Sequence, residues 1–233
     1  MPRTRRPERR YHHGALRQAL LDAALALLQH EGPAELTLRA VARRAGVSHM
    51  APYHHFRDRA ALVAAVSQHG FEELERFVRE QAIRAGDPLR GFQAAAVAYV
   101  VFGVRNPALY RVMFGPEVCR MNDYPDLQRS ARAAFALIGE GADRCRTQGL
   151  LRDTLGPETA ALIWASLHGL VMLLLDGQLS VEARPEEAAM RLATAATDLL
   201  YEGLRGRPEA GPPPPPPSGR TSAGASSSAP GCR

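Results

Sequence analysis

Apolar residues recur every three or four positions along most of this 233-residue chain, which is the pattern of helices that bury one face. The first such stretch starts near Leu16 and ends at Gly32-Pro33. Alternating strand-like runs are absent from the sequence, so the predicted fold class is all-α. Beyond the first 60 residues, helices are predicted over about 62–85, 89–104, 108–114, 125–148, 157–178 and 185–204.

Residues 36–66 contain two short predicted helices on either side of a tight turn. Thr37 can cap the first helix by accepting a hydrogen bond from a backbone N–H group. Gly46 stands just past its end, where a left-handed residue closes the turn at little cost. Ser48 can cap the next helix, and a third helix is predicted to open at Arg57-Asp58. This is the order of parts in a helix-turn-helix that reads DNA.

The charge along the chain is uneven. Residues 1–60 contain 11 arginines and 5 acidic residues, whereas the remainder contains 18 arginines and 19 acidic residues. All 29 basic residues are arginine, so each basic contact with a phosphate would use a guanidinium group. A basic excess beside a helix-turn-helix favours DNA binding, because neutralising phosphates releases counterions. A solvated basic arm is the alternative for residues 1–10 taken alone.

These residues resemble the DNA-binding domain of the tetracycline-repressor (TetR) family of bacterial transcriptional regulators. The family pattern stands here as Gly46-Val47-Ser48, then Tyr53-His54-His55-Phe56, then Arg59-Ala60-Ala61-Leu62. The upstream run from Tyr11 to Ala24 resembles the first helix of the family. Further on, Trp164-Ala-Ser-Leu-His168-Gly169 resembles the Trp/His-Gly signature of one regulatory-domain subgroup.

The resemblance implies that the helix over residues 48–55 enters the major groove of duplex DNA. Pro52 departs from the family, which more often has leucine there. Proline removes the first helical hydrogen bond and disfavours helical dihedrals at Ala51, so the reading helix is expected to be loose at its first turn or to start late. Base edges are assigned to His49, Met50 and Ala51, and phosphates to Tyr53, His54, Thr37 and Arg59. The predicted DNA-binding residues are Thr37, Ser48, His49, Met50, Ala51, Tyr53, His54 and Arg59.

By the same resemblance, the second part of the chain is expected to bind a small molecule and to form a homodimer. In similar proteins the central helices enclose a mostly apolar effector pocket, and the last two long helices pair with those of a second subunit. Gly169 and the alanines at 188, 189, 193, 195 and 196 would allow close helix approach. The candidate ligand-binding residues, for each of which core packing is the alternative, are Phe92, Tyr99, Phe102, Tyr110, Met113, Phe114, Phe135, Trp164, His168 and Met172.

Four regions are predicted: a basic arm over 1–14, a helix-turn-helix domain over 15–66, a helical regulatory and dimerisation domain over 67–205, and a Pro-rich tail over 206–233. The tail contains six consecutive prolines and is expected to be disordered. Neither a metal site nor a cofactor is indicated, because the three cysteines are far apart and form no ligand motif.

An enzyme is disfavoured, because no nucleophile elbow, phosphate loop or metalloprotease motif is present and Ser166 and His168 face different directions on a helix. The sequence therefore predicts a ligand-responsive, sequence-specific transcriptional regulator of the cytoplasm, without a membrane partner. Its expected action is that of a homodimeric repressor released from a near-palindromic operator by a small apolar or aromatic effector. A non-specific, architectural DNA-binding protein is the alternative.

Overall fold

The computed structural model describes residues 13–152, 156, 158–179 and 185–205, and all of its regular secondary structure in these ranges is helical. Most of the predicted basic arm and the whole Pro-rich tail lie outside the described residues. The α-helices are α1 (His13–Glu31), α2 (Leu38–Ala45), α3 (Arg59–Arg84), α4 (Pro88–Arg105), α5 (Pro107–Met113), α6 (Pro125–Thr147), α7 (Thr159–Leu175) and α8 (Pro185–Leu204). Short 3₁₀ helices span Pro33–Glu35, Ala51–His54 and Pro116–Asp123.

The N-terminal unit consists of α1, α2 and the first turns of α3 around a small apolar core. Leu20, Leu27 and Val41 are fully or almost fully buried there, together with Phe56 and Leu62. Asp58 caps α3 by accepting a hydrogen bond from the Ala61 N–H at 2.7 Å. The helix then continues for 26 residues into the second unit, so the predicted boundary between residues 66 and 67 falls within one continuous helix.

The C-terminal unit is a helical body built around α3 and α4. Helix α3 packs on α4 and α6, while α4 packs on α8 and α7. Gly103 permits the close approach of α4 to α7, because a Cβ there would come within 2.5 Å of a Val171 methyl group. Within the described residues, no helix combines the length and apolar character needed to cross a bilayer.

The all-α prediction is confirmed, and the long predicted helices coincide with α1, α3, α4, α6, α7 and α8 to within a few residues. Two local features differ from the sequence prediction. The segment before α6 forms a 3₁₀ helix over Pro116–Asp123, which no periodic pattern indicated. The segment after Gly46 is also not an α-helix, with consequences for DNA reading that are described below.

Candidate DNA-binding interface and regulatory-domain site

The ends of α2 have the capping geometry that the sequence predicted. The Thr37 hydroxyl oxygen accepts a hydrogen bond from the Ala40 N–H at 3.2 Å, and Thr37 itself is extended. Gly46 follows the helix with φ 69° and ψ 30°, and its N–H donates back to carbonyls of the last turn. The left-handed backbone redirects the chain at once, so the next segment starts at a fixed angle to α2.

The reading segment is a 3₁₀ helix over Ala51–His54 and not an α-helix starting at Ser48. The reason is chemical. An α-helix would require residue 52 to donate to the Ser48 carbonyl, but proline has no N–H. That carbonyl instead accepts from the Ala51 N–H at 3.0 Å, one residue earlier, and the tighter pattern continues from Tyr53 N–H to the Met50 carbonyl at 3.1 Å.

This geometry decides which side chains point outward. In a 3₁₀ helix residues three apart lie on the same side, so Met50 and Tyr53 share one face. Met50 is 64% exposed and Tyr53 is 50% exposed, which is unusual for large apolar groups without a partner in the protomer. Ser48, His49 and His54 are also exposed, whereas Ala51 is half-buried and Pro52 faces the core.

The guanidinium of Arg59, for which a phosphate contact is predicted, has three partners within the protein. Nε donates to the Leu36 carbonyl at 2.9 Å and Nη2 to the Pro33 carbonyl at 3.1 Å. Nη1 forms an ion pair with Glu117 in the segment before α6. The side chain thus ties the α1–α2 connection and the second unit to the start of α3.

Arg59→Ala is expected to lower the free energy of unfolding by about 1–3 kcal/mol, because two backbone carbonyls lose a charged donor. The dependence of operator affinity on salt should not change. Loss of a phosphate contact would instead lower the slope of log affinity against log salt concentration by about one. Urea unfolding and DNA titrations at several salt concentrations measure both quantities. Glu117→Gln serves as the control and should cost less than about 1 kcal/mol, since that ion pair is exposed. A weaker salt dependence of operator affinity in Arg59→Ala would show that Arg59 contacts a phosphate.

Two arginines that the sequence reasoning did not select lie on the outer face of α2. Arg39 and Arg43 are exposed and four residues apart, so they project from the same side of the helix. Arg44 next to them is paired with Glu31 at 3.7 Å. The sequence contained a signal for this exposed pair. The two arginines are spaced by one helical turn and lie opposite the apolar residues that α2 buries.

Six of the candidate ligand-binding residues form one aromatic cluster in the second unit. Neighbouring rings lie with centroids 4.6–6.4 Å apart, in tilted, stacked and edge-on arrangements. The members are Tyr99, Tyr110, Phe114, Phe135, Trp164 and His168. They come from α4, α5, the residue following α5, α6 and α7, so the cluster joins most helices of the body.

A chain of hydrogen bonds runs through this cluster. Trp164 Nε1–H donates to Tyr99 Oη at 3.0 Å, the two tyrosine hydroxyls are 2.7 Å apart, and Tyr110 Oη is 2.7 Å from His168 Nδ1. The indole N–H and the two hydroxyl hydrogens need three acceptors, which are the two hydroxyl oxygens and Nδ1. If Nδ1 carried a proton, one hydroxyl hydrogen would have no acceptor within this chain of bonds. Neutral His168 therefore carries its proton on Nε2.

Burial shifts the ionisation of the same groups. It raises the pKa of Tyr99 to about 12 and raises the pKa of Tyr110 further, so both hydroxyls stay protonated near neutral pH. Burial also lowers the pKa of His168, which favours the neutral ring that the hydrogen-bond chain requires. Protonation of Nδ1 would reverse the Tyr110 bond and leave one hydroxyl without an acceptor.

The lowered pKa of His168 predicts a loss of stability on mild acidification. The unfolded chain takes up the proton first, near pH 6.5, so the contribution of His168 is complete above that value and declines as the pH falls. A fully buried group would lose about 1.4 kcal/mol per pH unit. The half-buried ring should lose a smaller amount, because solvent screens part of the charge.

The measurement is urea unfolding of the wild type and His168→Asn between about pH 7 and pH 5. The asparagine oxygen keeps an acceptor near the position of Nδ1 but does not titrate. The difference in unfolding free energy between the two proteins should shrink as the pH falls. A difference that is constant across this range would contradict the assignment of a neutral His168.

The other candidate ligand-binding residues lie outside the aromatic cluster. Phe92 borders an aliphatic cavity between α3, α4, α6 and α7, which Tyr99 of the cluster also reaches. The ring of Phe102 lies 6.4 Å from that of Phe77, on another side of α4. Met113 is buried against α3, where a Cβ at Gly70 would come within 2.5 Å of its sulfur, and Met172 is half-buried on α7.

A capped helix, a glycine-closed turn and an exposed reading segment mounted on a helical body are the architecture of a DNA-binding transcriptional regulator of the helix-turn-helix class. Family models agree along both units. Residues 20–66 match "Bacterial regulatory proteins, tetR family", and residues 92–197 match "Tetracyclin repressor-like, C-terminal domain". The chain belongs to the TetR family of bacterial transcriptional regulators. Assignment to the Trp/His-Gly subgroup stays a prediction.

Individual relatives agree with this membership. The nucleoid occlusion factor SlmA of Marinobacter nauticus is 28% identical over 78% of this chain and 90% of its own length. The HTH-type transcriptional regulator BetI of Agrobacterium fabrum is 33% identical over 37% of this chain and 41% of its own. Among solved structures, a protein with unknown function from Rhodococcus sp. RHA1 is 32% identical with a TM-score of 0.70, covering 85% of this chain and all of that one.

Proposed function

We propose that this protein is a ligand-responsive, sequence-specific repressor that binds a near-palindromic operator as a homodimer. The observation that carries the proposal is the outward face of the reading segment, where Met50 and Tyr53 stand exposed beside His49 and His54. Met50 suits a thymine methyl group and His49 a purine acceptor, so these two would read bases. Tyr53, His54 and the hydroxyls of Ser48 and Thr37 would bond to phosphates.

The arginines on α2 support the same proposal. Arg39 and Arg43 have no hydrogen-bond or ion-pair partner among the described residues, so their guanidinium groups are available for phosphate. They would share the positioning role that the sequence analysis assigned to Arg59. Counterion release at these two residues would contribute to affinity without reading sequence.

A second copy of this chain is the proposed partner of α7 and α8. On α7, the outward stripe consists of Leu162, Ala165, Ser166, Gly169 and Leu173. On α8, the corresponding stripe consists of Leu192, Ala195, Ala196, Leu199 and Gly203. A Cβ at Gly169 or Gly203 would meet no described atom within 4 Å, so there is room for a partner helix to approach closely. A two-fold pairing through these stripes would place two reading segments about one DNA turn apart.

The alanines of α8 serve two different purposes under this proposal. The sequence analysis expected Ala188, Ala189 and Ala193 on the dimer surface. They are instead buried within the protomer, so they lie outside the proposed dimer surface. Ala195 and Ala196 lie on the outward stripe and keep that role. Small residues therefore pack α8 closely on both sides.

Effector binding is proposed to act through α3, which is shared by both units. The helix begins beside the reading segment and continues into the wall of the body, so a tilt in the body changes the spacing of the two reading segments. A ligand shifts this equilibrium only by its difference in affinity between the two conformations. Release of the operator follows when the ligand prefers the conformation that mismatches the half-sites.

A DNA-binding role without operator preference is the second candidate. The similarity to the Marinobacter relative, a nucleoid occlusion factor, favours a role on the nucleoid over the control of single operators. The two functions differ in what they require of DNA, since a nucleoid-associated binder can act at many sites whereas a repressor acts at few.

Selection from random-sequence duplex pools tests the proposal, with Tyr53→Ala as the control. A single enriched near-palindrome that the variant fails to enrich supports the repressor. Weak, salt-sensitive binding without an enriched sequence would favour the second candidate, because phosphate contacts alone account for it. The selected operator then serves to screen small molecules for release.

A further inference from the structure

Arg17 belongs to α1, outside the helix-turn-helix, but its guanidinium reaches the end of the reading segment. The Cζ atom of Arg17 lies 5.7 Å from the centre of the Phe56 ring. Phe56 follows the 3₁₀ helix by two residues, and its N–H donates to the Pro52 carbonyl at 2.8 Å. A cation of the first helix is therefore held directly beside the segment that is proposed to enter the major groove.

The contact with the ring leaves the N–H donors of Arg17 unused. A cation–π contact is an attraction between a charge and the electrons of a ring, so it needs no hydrogen-bond acceptor. Arg17 is exposed to solvent. Among the residues that the structure describes, no carboxylate or carbonyl oxygen accepts a hydrogen bond from it. The guanidinium thus has a fixed neighbour but an open hydrogen-bonding edge.

Arg57 is the other arginine beside this aromatic residue, and its situation differs. Its Cζ atom lies 5.5 Å from the centre of the Tyr124 ring, and its Nη2 donates to the hydroxyl of the same tyrosine at 3.3 Å. Its Nε donates to the carboxylate of Asp58 at 3.2 Å. The protein therefore holds Arg57 through two hydrogen-bond partners, whereas Arg17 has only the ring of Phe56.

We propose that Arg17 binds a phosphate of the DNA backbone at the edge of each half-site, and that the ring of Phe56 positions its guanidinium for this contact. The proposal rests on the proposed function for the placement of the reading segment in the groove. Guanidinium donors match the oxygens of a phosphate bidentately. A side chain that is positioned before binding loses less conformational freedom when the phosphate arrives, so the contact with the ring increases the affinity for DNA.

This contact extends the DNA-binding surface to a third helical segment. Arg39 and Arg43 belong to α2, which precedes the reading segment, whereas Arg17 lies beside the residue that follows it. Contacts with phosphates would then be made at both ends of the reading segment, which fixes its orientation in the groove. Because a phosphate is the same at every base pair, Arg17 should contribute equally to the affinity for all duplexes.

The test compares Arg17→Met and Arg17→Lys in the full-length protein. Methionine keeps an unbranched apolar chain beside Phe56 but removes the charge, whereas lysine keeps the charge. Each protein is titrated with the selected operator and with a random-sequence duplex at several salt concentrations. Arg17→Met should weaken binding to both duplexes about five- to tenfold at about 0.1 M salt and lower the slope of log affinity against log salt concentration by about one. Arg17→Lys should keep the wild-type slope.

Arg132→Met is the matched control, because Arg132 is also exposed on a helix but lies far from the reading segment. Ser130 on the same helix donates to Glu72, which is about 20 Å along α3 from its first residue. The control should bind both duplexes as the wild type does. An unchanged slope in Arg17→Met overturns the proposal, since the side chain then only covers Phe56. An equal decrease in Arg132→Met shows a general effect of net charge and also overturns it. Arg17→Gln replaces Arg17→Met if thermal melting shows that the methionine variant is unfolded.

Neutral methylphosphonates, placed one at a time along the operator, locate the phosphate. One position at the edge of the half-site should weaken binding of the wild type but leave Arg17→Met unaffected, and the absence of such a position contradicts a direct contact. Because the slope is also measured on a random-sequence duplex, this test is separate from the test of the proposed function. A wild type that selects no operator but shows the slope difference contradicts the repressor and supports the role of Arg17. Selection of an operator with no slope difference contradicts only the role of Arg17.

Discussion

Leu199→Glu is expected to convert the protein to a monomer and to weaken operator binding at least about 100-fold. Leu199 is 76% exposed at the centre of the outward stripe of α8, and the proposed dimer would bury it against a second copy. A glutamate there would have to lose its hydration in an apolar interface without a partner. The effect on DNA is large because two linked reading units gain a factor of about 10²–10⁴ over one.

Sedimentation velocity and operator titration at matched concentrations measure the two effects. Ile83→Glu is the matched control, since Ile83 is 73% exposed but lies at the end of α3, away from the stripes. It should remain dimeric and bind the operator normally. Circular dichroism should show unchanged helix content in both variants. If Leu199→Glu stays dimeric, the outward stripes of α7 and α8 are not the interface.

Much of the fold could be predicted from the sequence because its signals are local. The spacing of apolar residues predicted the long helices, and Thr37 and Gly46 predicted the two ends of α2. Prolines that follow a helix-breaking residue predicted where most of the later helices begin. The helix-turn-helix could be recognised because its parts are short and contiguous, and the run Tyr53-His54-His55-Phe56 made the pattern more specific. None of these signals depends on where distant residues meet.

The lining of the cavity between α3, α4, α6 and α7 was harder to predict, because tertiary packing decides which apolar side chains border empty space. Ten aromatic and sulfur-containing residues were reasonable candidates, but six of them pack on one another. The cavity is instead lined mostly by leucine, isoleucine, valine and alanine, which no sequence pattern distinguishes from core. The contact of Arg59 with Glu117 could not be predicted for a similar reason, since the two residues are 58 positions apart.

Pro52→Leu is expected to change which DNA sequence the protein prefers and to weaken binding to the wild-type operator about 10- to 100-fold. Leucine restores the N–H, which can donate to the Ser48 carbonyl and convert the 3₁₀ helix to an α-helix. Residues three apart would then no longer lie on one line, so Met50 and Tyr53 would diverge. Misplacing one contact to a base costs about 1–3 kcal/mol, which is the basis of the expected range.

Selection of operators with the wild type and the variant, followed by titration of each protein on both selected sequences, measures this change. Pro52→Ala is the informative companion, because it restores the same N–H without filling the space that leucine occupies. Both variants should shift the preferred sequence in the same direction, whereas a packing effect would separate them. The positions that shift should be those read by His49 and Met50, while the half-site spacing stays constant because the dimer surface on α7 and α8 is untouched. Identical operators for all three proteins would mean that the missing N–H of Pro52 does not determine how this chain reads DNA.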